Sequence, residues 1–459
     1  MLTLTTQRGL ARREFLTLGS LGFAGLSLAS LLGRPAAGAQ SPPLVTGRSV
    51  IYLFLQGGPS QFETFDPKPE LPDSLRTVTG VTETSVPGVR FGSKLPQLAK
   101  LADKLTVVRS FQTNNGGHNI EPIVSPSSLQ ANIGCLYSRV VGATRPDTGM
   151  PTNSVVFADS VDSKVLKGKA RGDISATGAL GAAHAPFIPG AGGQLQRNLK
   201  LNLPSERLAD RAELAAQIDA LTEQIDDAAL DHLQKQAYQV LLSGGVAKAL
   251  DLSLEDKTTL DRYDTAQYVR SDGWRQAKRG QAGMYTGHAK ALGKQLLLAR
   301  RLCEAGCGFV TIHDGYDGVW DWHGDGNNLG AYDGAEACIP ALDHAVAAFL
   351  EDCEARGLAD KILLVISGEM GRTPKLNNRG GRDHWAKLAP LVLAGGGLPA
   401  GRVIGQSTRD GGEPATEPSN PKHLISTILH SLFDAGQLRL EPEFAAISRL
   451  AEHAEIPAA

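Results

Sequence analysis

The chain has 459 residues, 46 lysines and arginines against 48 aspartates and glutamates, and a net charge of −2, so it holds one large α/β domain or two to three ordinary ones. A hydrophobic fraction of 42%, a charged fraction of 20% and 52 glycines describe a loop-rich globular protein and exclude a collagen-like or disordered chain. A mildly acidic chain without runs of lysine and arginine also argues against a nucleic-acid partner.

The N-terminus reads as a leader: paired Arg12 and Arg13, an apolar run from Phe15 to Leu32 broken by glycine and serine, then Ala37-Gly38-Ala39 before Gln40. This is the pattern of a twin-arginine export signal with a small-residue cleavage site, the alternative being a membrane anchor. Residues 1–39 carry a net +3, so cleavage takes the mature chain to about −5 and leaves no stable span. The expected organisation is a leader over 1–39 and a single domain over 40–459, with a helical insertion at about 205–275.

After the leader, SVIYLFLQ (49–56) predicts a strand that ends in Gln56 and the turn-forming GGPS. KLPQLAKLADK has helical spacing and LTVVRSF predicts the next strand, a β-α-β opening. Residues 205–249 carry apolar positions three and four apart behind a capping serine, which predicts helices. Helix AKALGKQLLLARRLCEAG then leads to strand FVTIHD, helix ALDHAVAAFLEDCEARG to strand KILLVIS, and strand APLVLAGGG to a last helix in PKHLISTILHSLFD. Alternation of this kind predicts a doubly wound, mainly parallel sheet with helices on both faces. Five cysteines suit no disulfide framework. Cys303 and Cys307, one helical turn apart, read as core residues, with a disulfide or half a metal site as alternatives.

Polar clusters follow these strands. Such groups converge on one edge of a parallel sheet even when hundreds of residues separate them. Asp321 and His323 lie one residue apart in WDWHGD, Glu369 follows KILLVIS, and His384 stands in GRDHW. Carboxylates and imidazoles at one rim are the ligand set of zinc, manganese or iron. His118, in NNGGHN, is a candidate ligand or proton donor, against a plain loop histidine. Arg372 has the fork to steady a tetrahedral oxyanion, against a salt bridge to Glu369 or Asp383. Trp320, Trp322 and Trp385 flank these positions as packing or as a wall against water. The chain has no G-x-S-x-G elbow, no G-x-G-x-x-G after a strand and no Walker lysine, which argues against triad, dinucleotide and P-loop chemistry.

FLQGGPSQFETFDPKPE near the start, GRTPK…GRDHW and LAGGGLPAGRVIGQS together resemble the exported family called domain of unknown function 1501. That family is similar in fold to the alkaline phosphatase and sulfatase superfamily. The resemblance implies that Asp321, His323 and His384 hold one metal and that Glu369 lies near a second. Gln56 then occupies the place of a metal-binding aspartate, as a weaker ligand, and Met370 the place of a histidine. Ser125, Ser127 and Ser128 lie where a nucleophile belongs but form no recognisable motif. The expectation is an exported, periplasmic or extracellular, metal-dependent hydrolase of phosphate or sulfate esters, of small molecules or carbohydrates, with one divalent metal firmly held and the twin-arginine machinery as export partner. The rival is a binding or scaffold protein on the same fold with a decayed metal site.

Overall fold

The computed structural model describes residues 43–166, 169–190, 245–270, 279–315 and 319–456. Its strands are β1 (Ser49–Leu55), β2 (Val81–Glu83), β3 (Arg90–Gly92), β4 (Leu105–Val108), β5 (Asn153–Val156), β6 (Phe309–Asp314), β7 (Ile362–Ser367), β8 (Gly371–Arg372), β9 (His384–Trp385), β10 (Leu391–Gly395) and β11 (Arg402–Ile404). Seven of them form the central sheet in the order β11-β4-β10-β7-β1-β6-β5. β10 is antiparallel to both its neighbours, and the other pairs are parallel, so the sheet is mainly parallel as expected.

The sheet's two faces bury two separate cores, and the strand sequences explain why. A strand covered on both sides reads as a near-continuous apolar run, as in ILLVIS and SVIYLFL, each with a serine only at one end. Ile51, Leu53 and Leu55 of β1 join one core with residues of helices Arg279–Glu304 and Ala331–Ala355. Val50, Tyr52 and Phe54 point the other way, into the core with helices Ile133–Val141 and Pro421–Leu432. All five cysteines are free and buried, and Cys303 and Cys307 are core residues.

The leader lies outside the described residues, as does most of the expected helical insertion. The part of 205–275 that is described contains the short helices Gly245–Leu250 and Lys257–Arg262. Among the described residues, no helix is long and apolar enough to cross a membrane.

β1 sits between β7 and β6 with Leu55 level with Asp314 and Phe54 level with Ser367, so the loops after these three strands leave the sheet side by side. Because β10 runs antiparallel, its start, Leu391, lies opposite Ser367 on the same rim. The small β8–β9 ladder, which pairs Arg372 with His384, stands just ahead of it.

Candidate metal centre

Asp321, His323 and His384 meet at this rim. The Nε2 atoms of His323 and His384 lie 2.8 and 3.1 Å from Asp321 Oδ1 and 3.0 Å from each other. His118 reaches the same group from the loop after β4, its Nε2 3.3 Å from Asp321 Oδ2 and its ring edge-on to His384. Ligand atoms of His118, Asp321 and His384 all lie within 4.8 Å of one another.

The opposite side of each ring explains the orientation. His384 Nδ1 is 2.8 Å from the Gly116 carbonyl, His323 Nδ1 is 3.0 Å from Asp383 Oδ1, and His118 Nδ1 is 2.9 Å from Glu369 Oε1. A carbonyl or carboxylate only accepts, so each Nδ1 donates outward, and each Nε2 faces the Asp321 carboxylate, to which it donates when protonated and beside which it can ligate a cation when not. The nitrogens and the carboxylate oxygen, gathered at about 3 Å, are held by protons on the rings or, once those are displaced, by a cation. The donor set therefore fits a divalent metal, and imidazoles steered by outer acceptors are the usual arrangement around one. The Nε2 atoms of His323 and His384 with an Asp321 oxygen, leaving a position open, suit zinc, manganese or iron.

Without a cation, protons hold this cluster together, the rings donating to Asp321. Burial alone would raise the Asp321 carboxyl, but the bonds from His118, His323 and His384 and the Arg372 charge outweigh it and hold it well below the usual carboxylate range. Burial pulls His118 down, yet its bonds to Asp321 and Glu369 win and raise it to about 9. The bond to Asp321 raises His323 in the same direction.

Three residues expected as ligands or an anion clamp, Gln56, Glu369 and Arg372, make the following contacts. Gln56 stands outside the cluster: its Nε2 donates to the Arg171 carbonyl at 2.9 Å, and its Oε1 accepts from the Arg171 N–H at 2.9 Å and faces His313 Nε2 at 2.8 Å. This neutral amide, just past β1, ties down a distant loop. Glu369 acts one layer out. Its carboxylate takes the Gly57 N–H at 2.9 and 3.2 Å as well as His118, so both oxygens are engaged.

Arg372 does not offer its fork to solvent. It is fully buried and donates to the carbonyls of Gly57, Gly58 (2.7 Å), Trp320 (3.0 Å) and Arg382 (3.2 Å) and to Asp321 Oδ1 (2.7 Å). Its ion partner is Asp321, and neither Glu369 nor Asp383, the partners the sequence offered, pairs with it. Ser125 caps a short turn through Ser127 N–H, and Ser128 is buried against the carbonyls of Ile123, Ser125 and Ala131, so neither hydroxyl is set up as a nucleophile.

Trp320 and Trp322 are fully buried and pack under the loop. Gly57, at φ +128°, permits a close approach: a Cβ there would stand 2.9 Å from Trp320. Two contributors escaped the sequence reading as ring-orienting groups, Asp383 and the Gly116 carbonyl. Asp383 stands next to His384 in GRDHW, a usable signal; a backbone carbonyl leaves none.

Residues 47–439 match the family described as protein of unknown function (DUF1501), and the chain belongs to it. No curated protein matches. Among solved structures it is similar to the PsFucS1 sulfatase from Pseudoalteromonas sp., with 11% identity, 84% of this chain and 67% of that chain covered and a TM-score of 0.34. It is also similar to phosphonate monoester hydrolases, one from Silicibacter pomeroyi (12% identity, 84% and 73% covered, TM-score 0.33) and one from Agrobacterium radiobacter (12%, 84% and 74%, TM-score 0.28). Likeness at this level carries no argument about chemistry, which has to come from the site.

Proposed function

We propose that the protein is a metal-dependent hydrolase of phosphate or sulfate esters, of small molecules or carbohydrates, working outside the cytoplasm. The observation that carries this reading is the meeting of the Nε2 atoms of His118, His323 and His384 at the Asp321 carboxylate, each ring turned inward by an acceptor behind it. A divalent cation bound there would supply Lewis acidity toward an ester oxygen and an acidified water. Asp321, His323 and His384 hold it. His118, backed by Glu369, faces the same space and is placed to move a proton at Nε2. Arg372 fixes Asp321 and the Gly57–Gly58 turn and takes no part in holding substrate. Export through the twin-arginine machinery and a periplasmic or extracellular location rest on the leader sequence.

Turnover of aryl phosphates and aryl sulfates by purified, folded protein, assayed with zinc, manganese and iron(II) in turn, tests the reading. Hydrolysis with at least one metal is expected; no hydrolysis with any of them refutes it.

The Arg372 guanidinium 2.7 Å from Asp321 favours a second reading, a binding or scaffold protein in which fixed positive charge has taken a metal's place. Neutral Gln56 and the buried Met370 agree with it. Metal-free protein that rejects added cation supports the scaffold, and stoichiometric metal supports the hydrolase.

A further inference from the structure

Behind the metal centre lies a second titratable group that the proposed chemistry does not use. His288, on helix Arg279–Glu304, is fully buried, with Nδ1 2.9 Å from both oxygens of Asp314 and Nε2 3.0 Å from the Cys338 carbonyl. Asp314 ends β6 and is itself buried; its Oδ2 also accepts the Trp320 indole N–H at 3.1 Å. Since the Cys338 carbonyl only accepts, Nε2 carries a proton. Facing a carboxylate, Nδ1 carries one too, so His288 and Asp314 form a buried ion pair. Burial opposes that charge, but Asp314 and the Cys338 carbonyl outweigh it and raise His288.

Such a pair is a poor way to gain stability, because desolvation cancels most of its attraction and apolar packing does as well. Position is what it supplies. Trp320 precedes Asp321, its ring meets the His288 ring edge-on at 5.5 Å, and its carbonyl accepts from the same Arg372 nitrogen that holds Asp321. The indole is thus fixed at the ring by Asp314 and at the backbone by Arg372.

We propose that His288 and Asp314, acting through the Trp320 indole, are positioning residues that set where Asp321 stands in the metal centre. This rests on the metal-centre reading above. Trp320→Phe keeps the ring and removes only the N–H, and Asp314→Asn keeps an acceptor for His288 while removing the charge.

The test is cobalt(II) titration of the full-length protein, reading the visible d–d band and the dissociation constant, with urea unfolding alongside. Both variants are expected to weaken cobalt about tenfold, the lower end for an outer partner of a metal ligand, and to shift the band, with urea midpoints changed far less. A folded variant with unchanged affinity and band overturns the proposal while leaving the metal centre standing. Wild-type protein that takes up no cobalt overturns both. Should Trp320→Phe not fold, Asp314→Asn gives the same decision.

Discussion

Replacing Arg372 with lysine is a sharp perturbation because the guanidinium has five acceptors and nothing exposed. Its partners are the carbonyls of Gly57, Gly58, Trp320 and Arg382 and the Asp321 carboxylate, drawn from three separate loops. An ammonium has three donors and no planar fork, so at least two buried acceptors lose their partner. Each stranded acceptor costs about 1–3 kcal/mol, which places the loss for Arg372→Lys at about 2–6 kcal/mol. Arg372→Met, which leaves Asp321 without its ion partner, costs about 3–5 kcal/mol. Urea unfolding followed by tryptophan fluorescence reads this directly, since Trp320 and Trp322 lie under the same loop. A loss below about 1 kcal/mol for Arg372→Met would show that the rim loops are held by something else.

Other outcomes follow from the same contacts. Glu369→Gln puts an amide behind His118 and is expected to lower turnover of an aryl ester by about 10²-fold, the lower end for a positioned proton donor, with zinc affinity in a chelator competition little changed; unchanged turnover removes Glu369 from the site. Gly57→Ala forces a Cβ against Trp320 at a backbone angle that disfavours side chains and is expected to cost about 1–3 kcal/mol, read in the same urea experiment. Asp343, buried, takes the N–H groups of Gln97 and Leu98 at 3.0 and 2.8 Å, and burial pushes it up to about 6 despite those bonds. Its folded pKa exceeds its unfolded one, so the folded state holds the extra proton and stability falls as pH rises from about 4 through 6. Asp343→Asn flattens that slope, by an amount on the order of 3 kcal/mol for a shift of about two pH units; an unchanged slope contradicts the assignment.

The strands that organise the rim were legible because a strand buried on both faces leaves a continuous apolar run, and FVTIHD and KILLVIS match β6 and β7 closely. The β8–β9 ladder and β11 were not, since two or three residues carry no periodicity. Asp321, His323 and His384 could be found from their places beside strand ends. The destination of Arg372 could not: a fork beside a glycine turn meets either substrate or carbonyls, and only the closeness of Gly57, Gly58 and Trp320 decides. The contacts of Gln56 and Glu369 were hidden for a related reason. Their partners, Arg171 and His118, come from loops more than a hundred residues away in the first case and some 250 in the second, and nothing local to either residue announces them.

The central claim is that the rim histidines and Asp321 grip one divalent cation. Elemental analysis of the purified protein after dialysis against zinc, manganese and iron(II) tests it most directly. About one bound ion per chain is predicted, lost when His384 becomes alanine while the fold survives. Wild-type protein that stays metal-free under all three, or a His384→Ala variant that keeps its ion, contradicts it.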